Sequence, residues 1–165
     1  MEPRKVTHLC VVNLGLFRTG TTTLAKAFES LGWRVFREFP KLTAEEHRQF
    51  LVQPTELVRE WWHTGREHVI KLLKDYNLIC DGWISLLVFL PEQELWKLQK
   101  DLRNEGVLVH FVATSRHVSA IVRSELQHWV VRDLERGLTI NDRSRLEELL
   151  RLRALHHASC IQSLK

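Results

Sequence analysis

The feature that most constrains the fold of this chain is an apolar segment that runs directly into a glycine-bounded loop. Residues 6–14 are rich in β-branched and apolar side chains, as in a strand that is buried on both faces. A loop follows at residues 15–20, and residues 21–31 have the apolar spacing of a helix that ends at Gly32. A strand, a short glycine loop and a helix form the first part of a βαβ unit, so we expect a parallel sheet.

The rest of the chain alternates between short apolar runs and amphipathic segments. Further strands are predicted at residues 33–36, 77–80 and 107–114. Helices are predicted at residues 54–75, 91–106, 118–135 and 142–163, and the capping-box pattern at 43–46 predicts one more helix start. In the last helix, the side chains expected to face inward are Leu146, Leu149, Leu150 and Leu155, with the arginines on the other side. The predicted fold is α/β, with a doubly wound parallel sheet between two helical layers, in a single domain spanning residues 1–165.

Polar residues follow three of the predicted strands. In open α/β sheets, ligands bind at the carboxyl ends of the strands. The loop at residues 15–23 follows the first strand, Asp81 follows the third and Arg116 follows the fourth. These positions are therefore the candidate ligand sites of the chain.

The loop at residues 15–22 has the glycine spacing of a P-loop, with Thr21 where the lysine usually stands. Glycines let the backbone curl around an anion, which the N–H groups of residues 19–23 and the positive end of the next helix would face. The hydroxyls of Thr21 and Thr22 add donors. The missing lysine is the usual partner of the β and γ phosphates of a triphosphate, and Arg18 is the candidate cation in its place. The loop thus predicts P-loop-type binding of a 5′-phosphate that carries one further transferable group.

The same residues resemble a signature of the sulfotransferase family. The segment from Arg18 to Leu24 is similar to the family's 5′-phosphosulfate loop. That loop has a basic residue, a hydroxyl residue, Gly-Thr and a second hydroxyl residue in succession, with a leucine two positions further on. The family's second signature is an arginine after a later strand with a serine eight positions on, and Arg116 and Ser124 match it. The resemblance implies metal-free transfer of a sulfuryl group from 3′-phosphoadenosine 5′-phosphosulfate (PAPS) to a hydroxyl or amine of a small-molecule or glycan acceptor.

The resemblance also implies a role for each residue of the two signatures. The expected nucleotide-binding residues are Arg18, Thr19, Gly20, Thr21, Thr22 and Thr23 at the 5′ end, with Arg116 and Ser124 at the 3′-phosphate. Arg18 is in addition the expected catalytic cation at the leaving phosphate. Two carboxylates are candidates for the general base, Glu38 beyond the second strand and Asp81 beyond the third.

Sulfotransferases continue past the last helix with a strand and a basic, glycine-containing loop that completes the nucleotide site. Nothing in the printed sequence up to Lys165 resembles that loop. A short natural variant, a fragment and an inactive relative that still binds the nucleotide are all compatible with this. Two other functions also stay open: a P-loop kinase or NTPase, for which Asp81 is the candidate Mg²⁺ ligand, and a catalytically inactive interaction scaffold.

Charge and composition narrow the range of partners. The net charge of +4 fits a polyanionic ligand but is too small to indicate a nucleic acid. No apolar run approaches the length of a membrane span, so no membrane partner is expected. The cysteines are odd in number and widely spaced, which favours a reduced, cytoplasmic protein. His156 and Cys160 are four residues apart on a predicted helix, but two ligands without partners make a weak metal site, and no metal is expected.

Overall fold

The computed structural model describes residues 5–15, 19–37, 43, 46, 49–50, 52–80, 83–135 and 143–164. Within these residues the strands are β1 (His8–Asn13), β2 (Val35–Phe36), β3 (Leu78–Cys80) and β4 (Val107–Val112). The longer helices are α1 (Thr21–Ser30), α2 (Pro54–Asp75), α3 (Glu92–Asn104), α4 (Val118–Glu135) and α5 (Arg143–Ser163), with a 3-10 helix at Trp83–Phe89. The predicted alternation of strands and helices is confirmed.

The described strands form one parallel sheet in the order β2-β3-β1-β4. The central strand β1 pairs with both neighbours, so that Asn13 at its carboxyl end lies opposite Cys80 on one side and Val112 on the other. β4 lies at the edge of this sheet, where the Val109 carbonyl accepts a hydrogen bond from the side-chain amide of Gln99 at 3.0 Å. The order of the strands brings the ends of β1 and β4 together, although roughly a hundred residues separate them in the sequence.

Alternate side chains of the strands face two different helical layers, as the period of two in a β-strand requires. Cys10 and Val12 contribute to the main core cluster, which is formed with α2, α3 and the 3-10 helix. Val11 faces the opposite layer, where Ala25 of α1 packs on Leu78 of β3. The sheet is therefore covered on both faces, and the predicted three-layer α/β/α arrangement is confirmed.

Some local predictions are confirmed and one is wrong. The Glu46 N–H donates to the Thr43 hydroxyl at 3.2 Å and the Thr43 N–H donates to the Glu46 carboxylate at 2.7 Å, which is the reciprocal pair of a capping box. In α5, by contrast, Leu155 is 48% exposed, whereas Arg153 is only 3% exposed. The guanidinium of Arg153 pairs with the carboxylate of Glu125 on α4, and this buried ion pair takes the inward position that the leucine pattern predicted for an apolar side chain.

Two further segments differ from the sequence prediction. β4 ends at Val112, two residues earlier than predicted, because the N–H of Thr114 donates to the side chain of Asn13 at 3.0 Å and not to a strand. The apolar run Trp83–Phe89 forms a 3-10 helix in the main core, which no periodicity in the sequence indicated.

Candidate functional site

Gly15 marks the point where the predicted phosphate loop, residues 15–23, leaves β1. A Cβ atom at this position would lie 2.2 Å from Oγ1 and 2.6 Å from the carbonyl oxygen of Thr114. Both separations are far below van der Waals contact, so only glycine fits between the end of β1 and the segment that follows β4. The glycine is required here by close approach of two backbone segments.

The far side of the loop leads into the first turn of α1. Gly20 has a φ of +96°, a conformation that favours glycine, and its carbonyl accepts the Leu24 N–H at 3.1 Å, which closes the first helical turn. Thr21 is buried, whereas Thr22 and Thr23 are exposed on that turn. The first turn carries no acidic side chain, so the positive end of the helix is available to an anion.

A hydrogen-bond network of buried and half-buried polar side chains supports the loop from below. The side-chain oxygen of Asn13 accepts the N–H groups of Gly15 and Thr114, each at 3.0 Å. Its side-chain amide donates to Oγ1 of Thr114 at 3.0 Å, and that hydroxyl lies 2.7 Å from Oγ1 of Thr19. The network joins β1, both described ends of the loop and the segment after β4.

His157 of α5 provides a second support for the start of the loop. Its Nε2 lies 2.7 Å from the Leu14 carbonyl oxygen, and because a carbonyl can only accept, Nε2 carries the proton. Burial lowers the pKa of His157, the hydrogen bond to the Leu14 carbonyl opposes that shift, and the charge of Arg153 adds to it. The imidazole is therefore held neutral. This contact was missed at the level of sequence, since a histidine on a helix face carries no local signal of its partner.

Arg116 and Thr19 line one cavity at the carboxyl end of β4. The cavity has a volume of about 630 Å³, and its walls also include Thr114 and His157. Arg116 is exposed just beyond the strand, as predicted. Ser124 is half-buried on α4 and is not among the residues that line the cavity. The structure thus brings together the predicted loop and the predicted arginine, with Ser124 further along α4.

The carboxyl end of β2 supplies a cation that the sequence analysis missed. Arg37 follows β2 directly, and its guanidinium donates to the hydroxyl of Thr22 at 3.0 Å. Its position at the carboxyl end of a strand is the signal that could have identified it. The three predicted catalytic residues, Arg18, Glu38 and Asp81, lie outside the residues that the structure describes.

Metal-binding and membrane-spanning features are absent from the described part of the chain. In that part, no three His, Cys, Asp or Glu side chains are grouped so that they could hold a metal ion. His156 instead packs against the ring of Phe89 at 5.4 Å between centroids, and Cys160 packs against the main core cluster. None of the described helices is both long and apolar enough to cross a membrane.

One comparison with known proteins identifies the family. A family profile with the description "Sulfotransferase domain" matches residues 10–93, from β1 through the predicted phosphate loop to the start of α3. Arg116 and Ser124 lie beyond the matched region. No curated protein and no solved structure matches the chain significantly. The match covers just over half of the chain and includes the strand, loop and helix described above, so the chain belongs to the sulfotransferase domain family.

Proposed function

We propose that this chain binds PAPS and transfers its sulfuryl group to a hydroxyl or amine of a small-molecule or glycan acceptor. The observation that carries the proposal is the cavity that Thr19, in the loop just before α1, lines together with Arg116 after β4. A helix N-terminus suits one phosphate and an arginine suits a second one. A nucleotide with phosphates at both its 5′ and 3′ positions fits this pair of sites.

The nucleotide contacts are proposed as the resemblance implies them. The 5′-phosphosulfate would be bound by Arg18, Thr19, Gly20, Thr21, Thr22 and Thr23. Arg116 and Ser124 would bind the 3′-phosphate. Arg37 is added to the first group on the structural evidence, since its guanidinium already reaches the hydroxyl of Thr22. Its positive charge would stabilise an anion at the first turn of α1.

The chemical step needs a base for the acceptor proton and a cation for the leaving phosphate. The acceptor oxygen or nitrogen forms the new bond to sulfur while the bond between sulfur and the bridging phosphate oxygen breaks. Arg18 would neutralise the charge that develops on that phosphate, and Glu38 or Asp81 would take the proton. Glu38→Gln and Asp81→Asn separate the two candidates. The variant that lacks the true base should lose turnover but keep its affinity for the nucleotide. We further propose a single domain in a reducing, cytoplasmic setting, supported by the free thiols of Cys10 and Cys160.

Calorimetry with two nucleotides tests the proposed ligand. We expect binding of 3′,5′-adenosine diphosphate and little binding of ATP with Mg²⁺, because the loop lacks the lysine that a triphosphate needs. Tighter binding of ATP would instead support a kinase or NTPase. Binding of neither nucleotide would reject the proposal and support an interaction scaffold.

Arg116→Ala tests the site of the 3′-phosphate. We expect about a tenfold loss of affinity for 3′,5′-adenosine diphosphate, the size of one lost hydrogen bond to a charged group. Affinity for 5′-AMP should stay within about twofold, since that ligand lacks the 3′-phosphate. Arg123→Ala is the matched control, because Arg123 is an exposed arginine on α4 that does not line the cavity. Equal losses of affinity for both nucleotides would mean that Arg116 does not bind the 3′-phosphate.

A further inference from the structure

Asn13 is fully buried at the carboxyl end of the central strand, where an amide side chain is unusual. Its orientation is set by two backbone donors. The N–H groups of Gly15 and Thr114 both point at one terminal atom of the side chain, and only the carbonyl oxygen can accept them. The amide group must therefore point at Oγ1 of Thr114, where it donates at 3.0 Å. The two bonds to Thr114 cross between β1 and the segment after β4, whereas the bond from Gly15 is local to the end of β1.

Thr114 carries the connection on to the phosphate loop. Its hydroxyl lies 2.7 Å from the hydroxyl of Thr19, and its backbone lies so close to Gly15 that no side chain fits there. The two described ends of the loop are thus both in contact with Thr114. Arg116 follows Thr114 by two residues and lines the same cavity. A single short segment therefore contacts the loop and carries the arginine.

We infer that Asn13 and Thr114 are positioning residues that set the distance between the phosphate loop and Arg116. The inference rests on the proposed function, since it assumes that these two elements bind the two phosphates of one nucleotide. A ligand held at two points gains affinity only when the two sites are spaced to match it. The buried network keeps that spacing in the unliganded protein, so the second phosphate does not have to order the site.

Thr114→Val tests this inference, because it removes the hydroxyl while keeping the shape of the side chain. The measurement is the ratio of the dissociation constants of 5′-AMP and 3′,5′-adenosine diphosphate, which reports the gain from the second phosphate. We expect this ratio to fall by about tenfold in Thr114→Val although Arg116 is still present, and to be preserved in Thr114→Ser, which restores the hydroxyl. An unchanged ratio in folded Thr114→Val would overturn the inference.

Thr7→Val is the matched control for the same chemical change. The Thr7 hydroxyl donates to the Gly106 carbonyl at 3.3 Å, at the opposite end of β1 and β4. The ratio should keep its wild-type value in this variant. A fall of similar size in Thr7→Val would show that general loosening of the sheet, and not the position of Thr114, sets the ratio. If Thr114→Val does not fold, Thr114→Ala removes the same hydroxyl and is compared with Thr114→Ser in the same way.

Amide hydrogen exchange at Gly15 provides a readout that needs no ligand. Loss of the Thr114 hydroxyl removes the acceptor of the Asn13 amide and so weakens the hold on that side chain. The Gly15 N–H should therefore exchange about tenfold faster in Thr114→Val and at the wild-type rate in Thr7→Val. Unchanged exchange in both variants would overturn the inference without reference to nucleotides. If the wild type binds neither nucleotide, the proposed function fails, and the exchange rates alone then show whether Thr114 holds the loop.

Discussion

The two ends of the β1–β4 pair both place a glycine against a threonine, yet they are built differently. At the amino end, Gly106 has a φ of +88° and its carbonyl accepts the backbone N–H of Thr7 at 2.9 Å. The Thr7 hydroxyl adds a longer bond to the same carbonyl, at 3.3 Å. This end is a turn in which the backbone largely satisfies its own hydrogen bonds.

The carboxyl end depends on side chains instead. Beyond the bond from the Leu14 N–H to the Val112 carbonyl, at 2.7 Å, a side chain takes over the hydrogen bonding, although the backbones of Gly15 and Thr114 stay close together. The N–H groups of Gly15 and Thr114 then have a side-chain acceptor, the amide oxygen of Asn13. A glycine packed against a threonine therefore does not by itself indicate a functional site. A buried amide that replaces the strand bonds marks the end at which the backbone opens to form a loop.

Replacing the glycine at each end by alanine should give the largest difference in stability between the two ends. Gly15→Ala should lower the free energy of unfolding by about 3 kcal/mol or more, because its Cβ would overlap Oγ1 and the backbone of Thr114. Gly106→Ala should cost about 1–2 kcal/mol, because the cost there is that of a positive φ with contacts no closer than 3.1 Å. Urea unfolding of the two variants measures both values. The reverse order would mean that the close approach at Gly15 is relieved by a small backbone shift.

Removing one asparagine at each end should give a smaller contrast. Asn13→Ala should cost about 2–3 kcal/mol, because the buried Gly15 N–H and the half-buried Thr114 N–H both lose their acceptor. Asn77→Ala is the control near the amino end, since the Asn77 amide donates to the Leu9 carbonyl at 3.2 Å and its oxygen accepts the Arg34 N–H at 3.3 Å. Asn77 is only half-buried, so water can replace these bonds and a loss of about 1 kcal/mol is expected. Equal losses in urea unfolding would argue against a special role of the carboxyl end.

Acidification should weaken the carboxyl end through His157. Burial lowers the pKa of this histidine in the folded protein, whereas the unfolded chain titrates near the ordinary value of about 6.5. Between these two values only the unfolded chain binds the proton, so stability should fall as the pH drops below about 6.5 and should be level above it. Thermal melts of the wild type and His157→Gln across that range measure the effect. The melting temperature of His157→Gln should depend less steeply on pH than that of the wild type. Parallel curves would contradict the assignment of this pH dependence to His157.

Much of the fold follows from patterns that are local in the sequence. The run of β-branched residues before Gly15 forms β1, and the apolar spacing after Gly20 forms α1. The Thr43–Glu46 pair forms the predicted capping box, because both partners lie within one turn. The family profile matches this local part of the site, from β1 onward.

Contacts between distant segments were harder to predict. The leucine pattern of α5 predicted an inward Leu155, but helical periodicity does not reveal that Arg153 has a carboxylate partner on another helix. His157 was missed for the same reason, since its partner is the carbonyl of Leu14, 143 residues away. Arg18, Glu38 and Asp81 remain predictions from the resemblance, because they lie outside the described residues.

The sequence by itself determined the strand, the glycine loop and the helix at Gly20, because each depends on the conformational preferences of neighbouring residues. Only the tertiary structure decided what lies beneath the loop. Asn13 and Thr114 are 101 residues apart, and they meet because β1 and β4 pair in a register that places their ends side by side. The N–H groups of Gly15 and Thr114, buried and half-buried, need an acceptor at that point, and the register places both of them at the Asn13 side chain.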